Sequence, residues 1–252
     1  MPSKVVRDVA EWLHTQGYPL EYETARILRS AGFRVEQGRH WMDVDPITEE
    51  QVPRELDVLA TSAADGWPQT RSSAVQLVVE CKHGIGPWII LGGSPTPPIA
   101  DLLLGASELA KWVGTRRALP GLLGSMRPIA FGVAEKKAKG APEAAYEAVM
   151  EATRAAYRMW LTDYADWVVP VVVVDGPLLA LTYADDGQES LREVRRGRIA
   201  WSGAALRGWQ GATRREPVLV EIVHRSALSE FARQAWQTAT TVRAALKSSK
   251  SL

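Results

Sequence analysis

The chain has 252 residues, 46% of them apolar and 23% charged, with a net charge of +1 and one cysteine. That composition is ordinary for a globular protein long enough for one large domain or two small ones. It excludes an internal disulfide, carries no apolar run of membrane-spanning length and no signal peptide, and sets the expected location as the cytoplasm.

Residues 4–14 read as a short helix with Val5, Val9, Trp12 and Leu13 on one side. Leu20 to Ala31 read as a second helix, closed by Gly32, with Leu20, Ile27, Leu28 and Ala31 at helical spacing and Glu23 at the edge of that stripe. Phe33 to Asp45 is the first expected strand. Two runs follow, Arg54–Ala60 and Val75–Lys82, separated by the turn signal Asp65-Gly66-Trp67-Pro68. Trp88 to Leu91 reads as a short strand, Ile99 to Val113 as a helix and Pro128 to Ala134 as a strand. Ala144 to about Asp166 reads as a long Ala-rich helix that Pro142 suits as a first-turn residue. Trp167 to Val174 is a buried strand. Leu178–Tyr183 and Ser190–Trp201 read as a hairpin across Asp185-Asp186-Gly187, and Pro217–Val223 as a last strand. Ser226 suits the cap of a helix reaching about Leu246, and residues 248–252 read as a disordered tail.

The two runs around the turn carry the chemistry. Each places charge in a stretch that otherwise reads as buried strand, which is costly unless the charge is paired or coordinated. Side chains alternate along a strand, so Glu80 and Lys82 share a face with Gln76 and Val78. Val75, Leu77, Val79 and Cys81 form the opposite, apolar face. In the first run Glu55 and Asp57 are expected on one face, with Leu56, Val58 and Ala60 on the other. A hairpin that sets Asp57 opposite Glu80 has its midpoint near Pro68, where the turn chemistry lies.

Asp57 followed by Glu80-Cys81-Lys82 resembles the signature of the PD-(D/E)XK nucleases, the restriction-endonuclease-like superfamily, with Leu56 where the name has Pro. The resemblance implies an α/β fold with an αβββαβ core, a mixed central sheet flanked by helices. The order of elements from Leu20 to Ala134 matches it. The whole chain, 1–252, is then one nuclease-like domain, with a core at about 19–135 and strands and helices of 136–247 elaborating the same sheet.

The resemblance implies a Mg²⁺-dependent phosphodiester hydrolase, with Mn²⁺ able to substitute. Asp57, Glu80 and the backbone carbonyl of Cys81 would be the metal ligands, with Lys82 as base or charge stabiliser and Glu23 as the helix carboxylate that often joins such sites. A partly desolvated lysine beside a metal is expected to have a depressed pKa. The implied substrate is double-stranded DNA and the implied role a DNA endonuclease in restriction, phage defence or repair, acting as a homodimer. The rival reading is a catalytically inactive nucleic-acid-binding or assembly module that keeps the fold. A hydrolase acting on something other than nucleic acid is a third, weaker reading.

Other features read as structural. Glu135-Lys136-Lys137 is a second Glu-x-Lys without an upstream Asp hairpin. His14, His40, His83 and His224 give no zinc spacing, and His83 is turned away from Lys82 by alternation. The basic clusters Arg116-Arg117, Lys136-Lys137-Lys139, Arg195-Arg196-Arg198 and Arg214-Arg215 read as solvated surface. The Trp residues read as core, with Trp41, Trp67 and Trp88 nearest the site.

Overall fold

The computed structural model describes residues 3–44, 48, 50–62, 75–84, 86–92, 129–136, 143–162, 167–183, 186–201 and 218–249. Expectations outside these residues are the turn at Asp65–Pro68, the helix 99–113, Pro142, Asp185, Trp67, Lys137, Lys139, the Arg116-Arg117 and Arg214-Arg215 clusters and the last three residues.

Helix α1, Lys4–Thr15, starts on Ser3, whose side chain accepts from Val6 N. Its expected apolar side forms, but Val5, Val9, Trp12 and Leu13 stay exposed among the described residues. Gly17, in the left-handed region at φ 87°, turns the chain into α2, Tyr18–Ser30, with Pro19 in its first turn. Leu20, Thr24, Ala25 and Leu28 are its buried stripe.

Strands β1 (Arg34–Val44), β2 (Gln51–Thr61) and β3 (Val75–Lys82) form an antiparallel meander. Its register, Val58 opposite Val79 and Thr61 opposite Gln76, is the one that sets Asp57 against Glu80. The strand on the other side of β3 is β6, Trp167–Val174, parallel to it from Val75↔Trp167 to Lys82↔Val174. A parallel neighbour needs a crossover, and α3, Ala144–Thr162, lies in that connection and packs on the sheet.

The helix expected at 99–113 lies outside the described residues, and the strand beside β3 is β6, preceded by α3. The stretch at 128–134 splits. Ala130 bridges Ile199, and β5, Gly132–Glu135, pairs with β4, Trp88–Leu91.

The later strands do not all extend the first sheet. β4 is parallel to β7 (Leu178–Tyr183), which pairs with β8 (Glu189–Glu193), giving a second sheet in the order β5-β4-β7-β8. The expected strand 190–201 breaks at Val194-Arg195. Its second half, β9 (Arg196–Trp201), joins β10 (Val218–His224) at the edge of the first sheet, whose order is β1-β2-β3-β6-β10-β9. Pro170 is tolerated in β6 because β10 pairs with β6 only from Val171 onward. After β10 a 3-10 turn capped by the His224 side chain, rather than by Ser226, leads into α4, Leu228–Ser249, so the helix enters the stretch expected to be disordered.

The first sheet is covered on both faces. α2 and α4 bury Leu20, Leu28, Phe231 and Ala235 against Val58, Leu77, Val79, Val171 and Val173. α3 and the second sheet bury Ala148, Ala152, Trp88 and Leu178 against Val172, Val174, Val220 and Ile222, so the two sheets share a core. No described helix is long and apolar enough to cross a membrane.

Arg196 and Arg198, expected on the surface, are buried on β9. Glu221 on β10 accepts from Arg198 Nε at 2.7 Å and from Arg196 Nη2 at 3.3 Å, and Glu221 and Arg198 are 0% exposed. Removing one member of a buried ion pair leaves charge without compensation. Glu221→Ala is expected to cost about 3–5 kcal/mol, read as a lower urea midpoint at unchanged slope. A loss below about 1 kcal/mol would match an exposed pair instead.

Candidate active site

The site lies where β2 and β3 part. Their ladder ends at Val58↔Val79, one step before Asp57 meets Glu80. Beyond that point the Cys81 amide donates to Asp57 Oδ2 at 2.6 Å. A side-chain carboxylate thus takes the amide that a backbone carbonyl takes in a continued ladder. The β1–β2 ladder is also interrupted here. Arg34–Gln37 and Arg39–Val44 pair with β2, while the Gly38–Asp57 step is skipped, with Gly38 at φ 63°. Interruptions of this kind re-aim side chains beside functional sites.

The interruption changes the faces of β2. Val58 and Ala60 pack towards α2, but Leu56 packs with Leu59 and Val78 towards α3. The expected single face of Leu56, Val58 and Ala60 is therefore not formed, because alternation slips at Asp57. On β3 alternation holds. Val75, Leu77, Val79 and Cys81 face α2, and Cys81 Sγ lies 3.7 Å from Thr24 Oγ1. Val78, Glu80 and Lys82 face α3, where Lys82 Nζ donates to Glu80 Oε1 at 2.7 Å and to Glu151 Oε2 at 3.1 Å. In a strand one residue's N–H and C=O leave by the same edge. The Cys81 carbonyl accordingly points, like its amide, into the gap beside Asp57.

These carboxyls are hard to ionise together. Burial first, then the charge of Asp57, raises Glu80 to about 8. Burial raises Asp57 to about 6, opposed by the Cys81 amide and Lys82. Glu21 on α2 rises to about 7 through burial and the charges of Asp57 and Glu55. Burial lowers the Lys82 pKa, but the Glu80 and Glu151 carboxylates outweigh it, so the net shift without a metal is upward. Burial pushes the Cys81 thiol up, in keeping with a packing role for its side chain.

The structure thus brings Asp57, Glu80, Cys81 and Lys82 together. It does not bring Glu23, which pairs with Arg225 Nη2 at 2.5 Å. The α2 carboxylate coupled to the site is Glu21, and α3 adds Glu151; the sequence reading had neither. Glu135 lies on β5 opposite Trp88 in the second sheet, apart from this cluster. His83 turns away from Lys82, as alternation predicts, and contacts Asp175 at the end of β6. Trp41 lines the cleft over the site, while Trp88 is buried in the core.

The cleft, about 370 Å³, is walled by Glu55, Glu80 and Lys82 from the sheet and by Met150, Glu151 and Arg154 from α3. Among the described residues no three His, Cys, Asp or Glu side chains are close enough to enclose a metal by themselves. Mg²⁺ does not need such a cage, since it keeps several waters and takes one or two carboxylates. Hard oxygen donors, a main-chain carbonyl and carboxyls that repel one another fit a divalent cation.

The raised carboxyl values set a pH dependence. The native state holds protons on Glu80 and Asp57 that the unfolded chain releases near its ordinary values of 4.5 and 3.8. This contribution to stability is full below those values and is lost as pH rises through about 6 and about 8. Glu80→Gln, which cannot ionise, is expected to gain stability relative to wild type between pH 5 and pH 9. Thermal unfolding of both proteins across that range checks it; parallel curves would contradict the raised value. Comparison of the chain with protein-family models, with curated proteins and with solved structures finds no match to any of the three.

Proposed function

We propose that the protein is a metal-dependent nuclease of the PD-(D/E)XK kind that hydrolyses phosphodiester bonds, with DNA as substrate. The observation that carries this reading is the gap between β2 and β3, where Asp57, the Cys81 backbone and the Glu80–Lys82 pair meet. The first sheet and its helices follow in the order α2-β1-β2-β3-α3-β6, with β4 and β5 of the second sheet inserted between β3 and α3; this order, with β6 parallel to β3, supports the reading by its likeness to the αβββαβ arrangement of that superfamily.

Asp57, Glu80 and the Cys81 carbonyl would hold the cation. A divalent ion bound there supplies a lowered water pKa and neutralises phosphate oxygen charge. In the metal-free site the Glu80 and Glu151 carboxylates hold the Lys82 ammonium above its ordinary range, which suits a group that orients the nucleophile and offsets developing charge. Glu151 holds that ammonium from α3. Glu21 adds negative potential beneath Asp57.

The inert-module reading draws on one observation. Lys82 already links Glu80 and Glu151, which a purely structural ion-pair network also does. Cleavage separates the two. With Mg²⁺ or Mn²⁺ and a panel of plasmid, linear, single-stranded and RNA substrates, the wild type is expected to cut. Asp57→Ala, Glu80→Ala and Lys82→Ala are expected to lose at least a hundredfold in rate, on the order of what a positioned catalytic group contributes. Glu21→Ala is expected to lose less, and Glu23→Ala to match wild type. Cutting undiminished in Asp57→Ala or Lys82→Ala would place the reaction elsewhere, and no cutting by wild type on any substrate would favour the inert module.

A further inference from the structure

The cleft has a second end whose charge has the opposite sign. Asp43, on β1, is 2% exposed, and its Oδ1 accepts from the Val44 amide. Its Oδ2 receives two guanidinium groups. Arg154 Nη1 of α3 lies at 3.2 Å and Arg54 Nε of β2 at 3.8 Å. Two cations on one carboxylate leave one unit of positive charge. Among the described residues neither guanidinium makes another hydrogen bond or ion pair, and Arg154 Nε is buried without a partner. Both arginines line the same cleft as Glu80, Lys82 and Glu151.

Their placement relative to the reacting end is set by α3. Residues three apart on a helix are neighbours on one face. Arg154 is thus one turn from Glu151, which holds Lys82. Asp43 fixes Arg154 in place, so little side-chain freedom remains to be lost when an anion arrives. A guanidinium presents a fork of N–H donors suited to phosphate oxygens.

We propose that Arg54 and Arg154, anchored on Asp43, form a phosphate-binding subsite that takes a backbone phosphate of the bound strand next to the one hydrolysed. This rests on the nuclease reading and adds how the strand is held. The carboxyl end and Lys82 receive the reacting phosphate, and the arginine end fixes its neighbour. The strand therefore runs along the cleft from the β2–β3 gap towards β1.

The test is binding of a fluorescently labelled DNA oligonucleotide to the full chain without divalent cation, followed by anisotropy from about 50 to 200 mM salt. Arg54→Ala and Arg154→Ala are each expected to weaken binding about tenfold and to lower the slope of log affinity against log salt by about one. Neutral methylphosphonate linkages, introduced one at a time, are expected to reproduce that loss at one position only. At that position they cause no further loss in Arg154→Ala. Arg54 is 46% exposed at its side chain, so Arg54→Ala keeps the Arg154–Asp43 pair and carries the test if Arg154→Ala does not fold. Wild-type affinity and slope in Arg54→Ala, or losses additive with every methylphosphonate, would overturn the subsite and leave the nuclease reading standing. Wild-type protein that binds no DNA at any salt but folds normally would overturn both.

Discussion

Everything distinctive about this protein depends on one hydrogen bond, from the Cys81 amide to Asp57 Oδ2. It replaces a backbone bond at the place where β2 and β3 separate, and it holds a carboxylate between two core strands. Because the gap opens towards both helical layers, Asp57 is coupled to Glu21 and Glu55 as well as to Lys82 and Glu151. An uninterrupted ladder would leave the Asp57 carboxylate on one face of the sheet, with its backbone satisfying the amide. The interruption at Gly38–Asp57 on the other side of β2 gives the strand the freedom to part from β3.

The energetic consequence is a site with more carboxyl groups than cations at its inner end. Asp57, Glu80, Glu21 and Glu151 surround one ammonium, and burial with mutual repulsion raises Asp57, Glu80 and Glu21 above their ordinary range. Such an arrangement destabilises the fold at neutral and higher pH, and is relieved by protons or by a cation. The buried Glu221 with Arg196 and Arg198 shows the contrasting solution, in which a carboxylate deep in the sheet is met by two guanidinium groups. At Asp43 the same two-to-one pairing occurs in the wall of a cleft, with the Arg54 side chain partly exposed.

Much of this was legible in the sequence because it is local. Turn chemistry and strand alternation fix the Asp57–Glu80 register, and a charged pair two residues apart in an apolar run marks Glu80 and Lys82. Non-local choices were not legible. Nothing in the apolar run 128–134 distinguishes it from Trp167–Val174 as the partner of β3, since parallel pairing leaves no turn between partners. The slip of faces at Asp57 depends on the interrupted ladder and not on composition. Glu21 was within reach. With Thr24 and Ala25 counted beside Leu20 and Leu28, the centre of the α2 stripe falls within roughly 40° of Glu21 and about 120° from Glu23, at about 100° per residue. Apolar spacing alone omits polar Thr24 and small Ala25 from the stripe and so moves its centre away from Glu21. Arg196 and Arg198 were misread because a basic cluster ordinarily stays in water, whereas here Glu221 on the neighbouring strand receives them.

The repelling carboxyls of the β2–β3 gap are the cation site proposed for this protein. Calorimetric titration of the protein with Mn²⁺ near pH 7, in two buffers of different ionisation enthalpy, measures it directly. Binding with proton release is expected, because a carboxyl raised to about 8 must lose its proton to become a ligand. The release is expected to disappear in Glu80→Gln. Binding without proton release, or release unchanged in that variant, would contradict this assignment.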